Sequence, residues 1–263
     1  MALHILTSLS GSPGVTSTAM TWGQISDRPT LIIEADPAGG SPMLCIGWGG
    51  THPHNRSILD LAVHPPGEYV ERIWELAIPL PGRERQAWLV PTVGLAAQMR
   101  SLMSVFGPLG EALARISRDS HVDVLVDLGR LGAAGASTQL WQHADTVLLF
   151  TDTTLQALNT LAVGAPAVVD ELDAIGARHR LAVVPVLGDD KGASNRPYGV
   201  REIAGITDGV PVLPGVARDA KAAGSRTWGR RGRYPLSVKR LIASVDQHAR
   251  EAHDVLGIQG APA

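Results

Sequence analysis

Three short stretches hold residues whose types and spacing fit phosphate and divalent-cation chemistry. The first is Ser10-Gly11-Ser12-Pro13-Gly14-Val15-Thr16-Ser17-Thr18, set between an apolar run and a helical pattern. Small residues let backbone N–H groups approach an anion closely, and the N-terminus of a following helix adds donors and a favourable dipole. The hydroxyls of Ser17 and Thr18 are candidate Mg²⁺ ligands. The second stretch is Leu31-Ile32-Ile33-Glu34-Ala35-Asp36-Pro37-Ala38-Gly39-Gly40. It ends an apolar run with two carboxylates two residues apart, ahead of a Gly-rich turn. The third, Val122-Asp123-Val124-Leu125-Val126-Asp127-Leu128-Gly129, closes a β-branched run with an acid. A carboxylate there sits where Mg²⁺ and its waters lie in a nucleotide site. Each stretch also has a plainer reading. A tight Gly/Pro turn commonly joins strand to helix, and Asp36 and Asp127 are good caps for the elements that follow them.

The elements that must position these groups alternate along the chain. Apolar runs predict strands at Ile5–Leu9, Thr30–Ile33, Ala87–Val90, Val122–Val126, Thr146–Thr151, Leu181–Leu187 and, last and short, Val210–Leu213. Helical patterns fall at Thr16–Gln24, Tyr69–Ala77, Leu95–Arg118 (broken at Gly107-Pro108), Thr154–Ile175, Val200–Ala204 and Leu236–Leu256. Residues 41–67 are rich in Gly, Pro and His and are expected to be irregular, apart from a turn at Ser57–Ala62. Continuous apolar strands between helices signal a doubly wound α/β fold: a mainly parallel sheet with helices on both faces. Ligands bind beyond the carboxyl ends of such strands, where the loops after Leu9, Ile33 and Val126 lie.

With 263 residues, 44% of them hydrophobic, the chain is expected to form one domain over 1–256 with a flexible tail at 257–263. No run of 18 or more uncharged apolar residues suggests an integral membrane segment, and the start of the chain lacks the marks of a signal peptide. A lone cysteine, Cys45, excludes an internal disulfide framework and fits a reducing, cytoplasmic setting. His52, His54 and His64 lack supporting Cys or carboxylate spacing and read as loop histidines. Ser10, Ser12 and Ser17 have no nucleophile-elbow setting.

The net charge of −2 conceals a basic stretch at 218–240, with eight basic residues against Asp219. Arg230, Arg231 and Arg233, interleaved with Trp228 and Tyr234, are candidates for non-specific DNA binding. The alternative is a solvated loop paired with the acidic remainder of the domain. In Leu236–Leu256, Val238, Leu241, Ile242, Val245, Ala249, Ala252 and Leu256 share a face. Mixed charge opposite them favours core packing over membrane contact.

The three stretches, in this order, resemble the ParA/MinD family of P-loop ATPases. That family reads KGGxGK[ST][ST] after a first strand, then DxDxxG, and later a strand ending in Asp. Ser57-Ile58-Leu59-Asp60-Leu61, Trp88-Leu89-Val90-Pro91, Ala144-Asp145-Thr146-Val147-Leu148-Leu149 and Val210-Pro211-Val212-Leu213-Pro214 extend the likeness over nearly the whole chain. The resemblance implies ATP and Mg²⁺ as cofactors, with Gly11 through Thr18 cradling phosphates and Pro214 near the base. It implies that Asp36 orients water or Mg²⁺ and that Asp127 holds Mg²⁺ through water. It further implies a nucleotide-dependent homodimer and a cargo or partner protein: DNA, a division component, or a pilus or secretion machine.

The chain departs from the family in both loop lysines, having no lysine before Lys191. Ser12 or Gly11 takes the early position, and Thr16 or Ser17 the later one. Without that charge, triphosphate binding should weaken and hydrolysis should be slow or absent. A non-catalytic pseudo-ATPase adaptor, which keeps the fold without binding nucleotide, is the rival reading. A phosphoryl- or amido-transferring enzyme of the same fold group is a third.

Overall fold

The computed structural model describes residues 1–11, 14–39, 42–49, 51, 55–83, 86–92, 97–98, 102, 104–131, 138–188, 198–218 and 232–255. Eight strands form one sheet: β1 (Leu3–Ser8), β2 (Thr30–Glu34), β3 (Ile78–Pro79), β4 (Ala87–Val90), β5 (Asp123–Arg130), β6 (Thr146–Asp152), β7 (Leu181–Leu187) and β8 (Val216–Ala217). Their order is β3-β4-β2-β5-β1-β6-β7-β8. Only the β3–β4 pair at the edge is antiparallel among the described strands. The doubly wound, mainly parallel expectation therefore holds.

Side-chain alternation divides the core between the two faces. Leu3, Ile5, Leu31, Ile33, Val124, Val126, Val147 and Leu149 pack on one face, with α3 (Tyr69–Leu76), α4 (Phe106–Asp119) and α5 (Leu155–Ala174). Leu6, Ile32, Leu125, Leu148 and Phe150 pack on the other, with α1 (Val15–Ile25), α2 (Pro42–Trp48) and the C-terminal helix α7 (Arg233–Val255). The short helix α6 (Val200–Ala204) lies between β7 and β8 in sequence.

In α7, Val238, Leu241, Val245, Ala249 and Ala252 are buried and Ile242 is partly buried, so the apolar face packs on the sheet. Leu256 and the tail lie outside the described residues. No helix among the described residues is long and apolar enough to cross a membrane. At the amino ends of the strands, Arg28 clamps α7 to the sheet. Its guanidinium donates to Asp246 of α7 at 2.6 and 2.8 Å and to Asp123 of β5 at 2.5 Å.

Four sequence expectations are corrected. The segment after Gly40 is not irregular throughout: Pro42–Trp48 is helical, and the buried Glu34 carboxylate accepts from Met43 N at 2.9 Å in its first turn. The helix over Phe106–Asp119 carries Gly107-Pro108 in its first turn, so the expected break marks a helix start. Proline in a first turn has no intrahelical N–H bond to lose. Val210–Leu213 forms only a single bridge, Val212 to Val183, because Pro211 and Pro214 on either side cannot donate to a ladder; the last strand is Val216–Ala217. The final helix begins at Arg233, so Arg233 and Tyr234 are helical rather than in a loop.

Candidate nucleotide site

The site lies at the carboxyl ends of β1, β5 and β2. Here the chain leaves β1 toward β2 on one side and leaves β5 toward β6 on the other. In register, Glu34 stands opposite Asp127, and Leu6 flanks Asp127 from β1. Asp36 follows two residues beyond the end of β2.

Asp127 is fully buried, and both its oxygens are engaged. One accepts from Gly129 N at 2.8 Å, and the other from the Thr16 hydroxyl at 2.6 Å. Burial pushes its carboxyl up to about 6, against the two hydrogen bonds that favour the charged form; the nearby Asp36 charge pushes it further up. Asp36 is partly exposed, and its carboxylate accepts from Ala38 N at 2.8 Å in a tight turn. The Thr92 hydroxyl donates to its carbonyl. Gly129 holds the two acids together. Its φ is +59°, and a Cβ there would lie 2.3 Å from the Asp36 carboxyl carbon. Gly129→Ala is therefore expected to expel Asp36 from its place. The cost should be about 1–3 kcal/mol in chemical denaturation, with loss of any Mg²⁺-dependent ligand binding in calorimetry.

Facing these acids is the start of α1. Gly14 caps it at φ 83° and ψ 24°, with no side-chain cap and no acid in the first turn. The first intrahelical donor is Thr18 N, to Gly14 O at 2.9 Å, so the N–H groups of Val15, Thr16 and Ser17 lie ahead of the helical ladder. Gly11 is exposed at φ 57°, and Val15 is only 5% exposed.

The hydroxyl brought to Asp127 is that of Thr16. Thr18 is fully buried, and Ser17 is partly buried with its carbonyl accepting from Thr21 at 2.8 Å. Pro214 is exposed, just after the Val212–Val183 bridge. Ser12, Pro13, Arg230 and Arg231 lie outside the described residues. Arg233 is exposed at the start of α7. Tyr234, read from the sequence as one of two aromatics interleaved with the arginines, is 4% exposed and packs into the core as part of the apolar face of α7.

Sequence reading missed Thr16 as the partner of Asp127. It also missed a second charged pair beside the loop: Arg218, after β8, donates to Asp152 at the end of β6. The Asp127-Leu128-Gly129 spacing was a usable signal for Gly129, since a glycine just past a strand-end acid marks a close approach.

The residues present fit a Mg²⁺-nucleotide. A hydroxyl and two carboxylates converge beside a run of backbone donors, and a buried acid carries a charge that burial disfavours. No protein-family model and no curated protein matches the sequence. Solved structures do match in fold. A ParA family ATPase from Chlorobium tepidum TLS superposes with a TM-score of 0.69 at 13% identity, over 94% of this chain and 98% of that one. The Pyrococcus furiosus cell division ATPase MinD gives 0.67 at 15% identity, over 94% and 98%. The Pyrococcus horikoshii OT3 septum site-determining protein MinD, complexed with Mg-ADP, gives 0.65 at 14%, over 95% and 97%.

Proposed function

We propose that this chain, which has the fold of ParA/MinD-type P-loop ATPases, is a Mg²⁺-nucleotide-dependent switch that positions a cargo and hydrolyses ATP slowly or not at all. The observation that carries the reading is the Thr16–Asp127–Gly129–Asp36 constellation beside an uncapped helix N-terminus. Thr16 and Asp127 would hold Mg²⁺, Asp127 through water. Asp36 would orient water or a Mg²⁺ ligand, and the N–H groups from Gly11 to Thr18 would receive phosphate oxygens. When bound, Mg²⁺ supplies positive charge to the phosphates.

The contact at Thr16 also supports one register of the loop: with Thr16 as the hydroxyl residue after the family's second lysine, Val15, rather than Thr16 or Ser17, takes the lysine position. An apolar side chain there leaves the phosphates without their usual cation, which is the ground for slow turnover. A homodimer formed on nucleotide binding, and a cargo read by that state, complete the proposal.

Calorimetric titration with ATP and ADP, with and without Mg²⁺, tests it. Mg²⁺-dependent binding is expected, with turnover below about 1 s⁻¹. No binding of either nucleotide would establish the pseudo-ATPase adaptor instead.

A further inference from the structure

Beside the start of the phosphate loop lies a cavity of about 260 Å³, lined by Ser10, Gly11, Asp152, Thr154, Gln156 and Arg218. It lies on the β6 side of the loop, away from Asp36 and Asp127. The strand register explains its make-up. Ser8 of β1 pairs with Phe150 of β6, so Asp152, two residues on, comes alongside Ser10. Arg218 is fixed at its backbone by N–H donation to Leu187 O at 2.8 Å, and its side chain reaches across β7 to the Asp152 carboxylate. Asp152 is also anchored, accepting from Thr153 N at 2.6 Å. Gly11 stands at φ 57° with open space where a Cβ would be, so loop backbone as well as Arg218 faces the cavity.

Asp36, Asp127 and Asp152 are all acids, and position 15 holds valine. The Mg²⁺ site proposed above addresses Asp36 and Asp127, whereas Asp152, at this cavity, is answered by Arg218. The guanidinium is half-exposed, and its pairing with Asp152 is worth little in water, so a more highly charged anion competes for it effectively.

Resting on the function proposed above, we infer that Arg218 is this chain's replacement for the missing loop lysine. Polyphosphate binding moves its guanidinium from Asp152 to a phosphate oxygen, and Asp152 is the brake on that transfer. Ion-pair exchange of this kind predicts opposite effects for the two partners, which a merely structural pair cannot give.

The test is titration of the purified full chain with ATP and adenosine, in Mg²⁺, read by calorimetry and by thermal shift. Arg218→Ala should weaken ATP binding about 10- to 100-fold while adenosine binding changes less than about threefold. Arg218→Lys should recover part of the loss. Asp152→Asn keeps an oxygen for Thr153 N but removes the competing charge, and should tighten ATP binding about 3- to 10-fold. Arg130→Ala removes the same charge from the end of neighbouring β5.

Three outcomes overturn the inference while leaving the function standing: ATP affinity unchanged in Arg218→Ala, weakened in Asp152→Asn, or lost equally in Arg130→Ala. Failure of both wild type and Asp152→Asn to bind any nucleotide overturns the function and the inference together.

Discussion

Val15→Lys is expected to raise ATP affinity by about 10- to 100-fold and to raise turnover at least about 10-fold, because it places one charged donor where phosphoryl charge develops. Three observations are the ground for choosing this position. Gly14 ends the loop in the left-handed conformation, Val15 is the first residue of α1, and Thr16 next to it touches Asp127. A lysine at 15 thus starts from the helix end that faces the loop, and its stem can follow the backbone while the ammonium reaches the phosphates. Its cost is the burial of the valine, 5% exposed here, worth about 1.5–3 kcal/mol in stability. Val15→Met is the control: similar length, no charge. If the two variants bind ATP alike, position 15 is not where the family's lysine would act, and the loop register supported by Thr16 falls. Adenosine affinity should be the same in both, since the added charge addresses phosphate alone.

The strands that build this site were legible because they are continuous apolar runs, and their carboxyl-end acids could be named from order alone. Leu181–Leu187 was placed to the residue. What failed did so for identifiable reasons. Choosing among Thr16, Ser17 and Thr18 requires the helix phase, since each residue turns the side chain by about 100°. The start of α1 depends on Gly14 adopting positive φ, which no periodicity reveals. Helix α2 was hidden by its Gly and Pro content. The Glu34 carboxylate in its first turn is nine residues from Met43 and looks, in sequence, like a second site acid. Arg218 and Asp152 are 66 residues apart and meet only because β8 lies two strands from β6. Tyr234 read as an aromatic interleaved with the basic patch, but it falls on the apolar face of α7 and is buried there.

Asp127→Asn is expected to stabilise the protein in the absence of Mg²⁺ at pH 7.5, by up to about 3 kcal/mol, and to abolish Mg²⁺-dependent nucleotide binding. The carboxyl is pushed up to about 6 in the fold, from an ordinary value of 3.8. Between those values the native state holds more protons than the unfolded chain, so stability falls as pH rises, and the penalty is complete above about 6. Asparagine carries no such penalty. Its oxygen can still accept from Gly129 N, and its amide N–H can donate to the Thr16 hydroxyl, which is free to turn and accept, so the amide resembles the protonated acid in shape and hydrogen bonding. Variant and wild type should therefore differ by a constant amount below about pH 3.8, should diverge as pH rises from there to about 6, and should keep the full difference above it. The comparison must be made as a difference, because burial also depresses His4, His179 and His248. Those imidazoles resist protonation in the fold, and each removes stability as pH falls below its ordinary 6.5. Subtracting the two denaturation profiles cancels the histidines and leaves Asp127. A variant less stable than wild type at pH 7.5 would mean that the carboxylate is held by more favourable contacts than Thr16 and Gly129 provide. A variant that is more stable and still binds Mg²⁺-ATP would remove Asp127 from the metal site. Greater stability with lost Mg²⁺ response is the signature of a charge buried for binding rather than for folding.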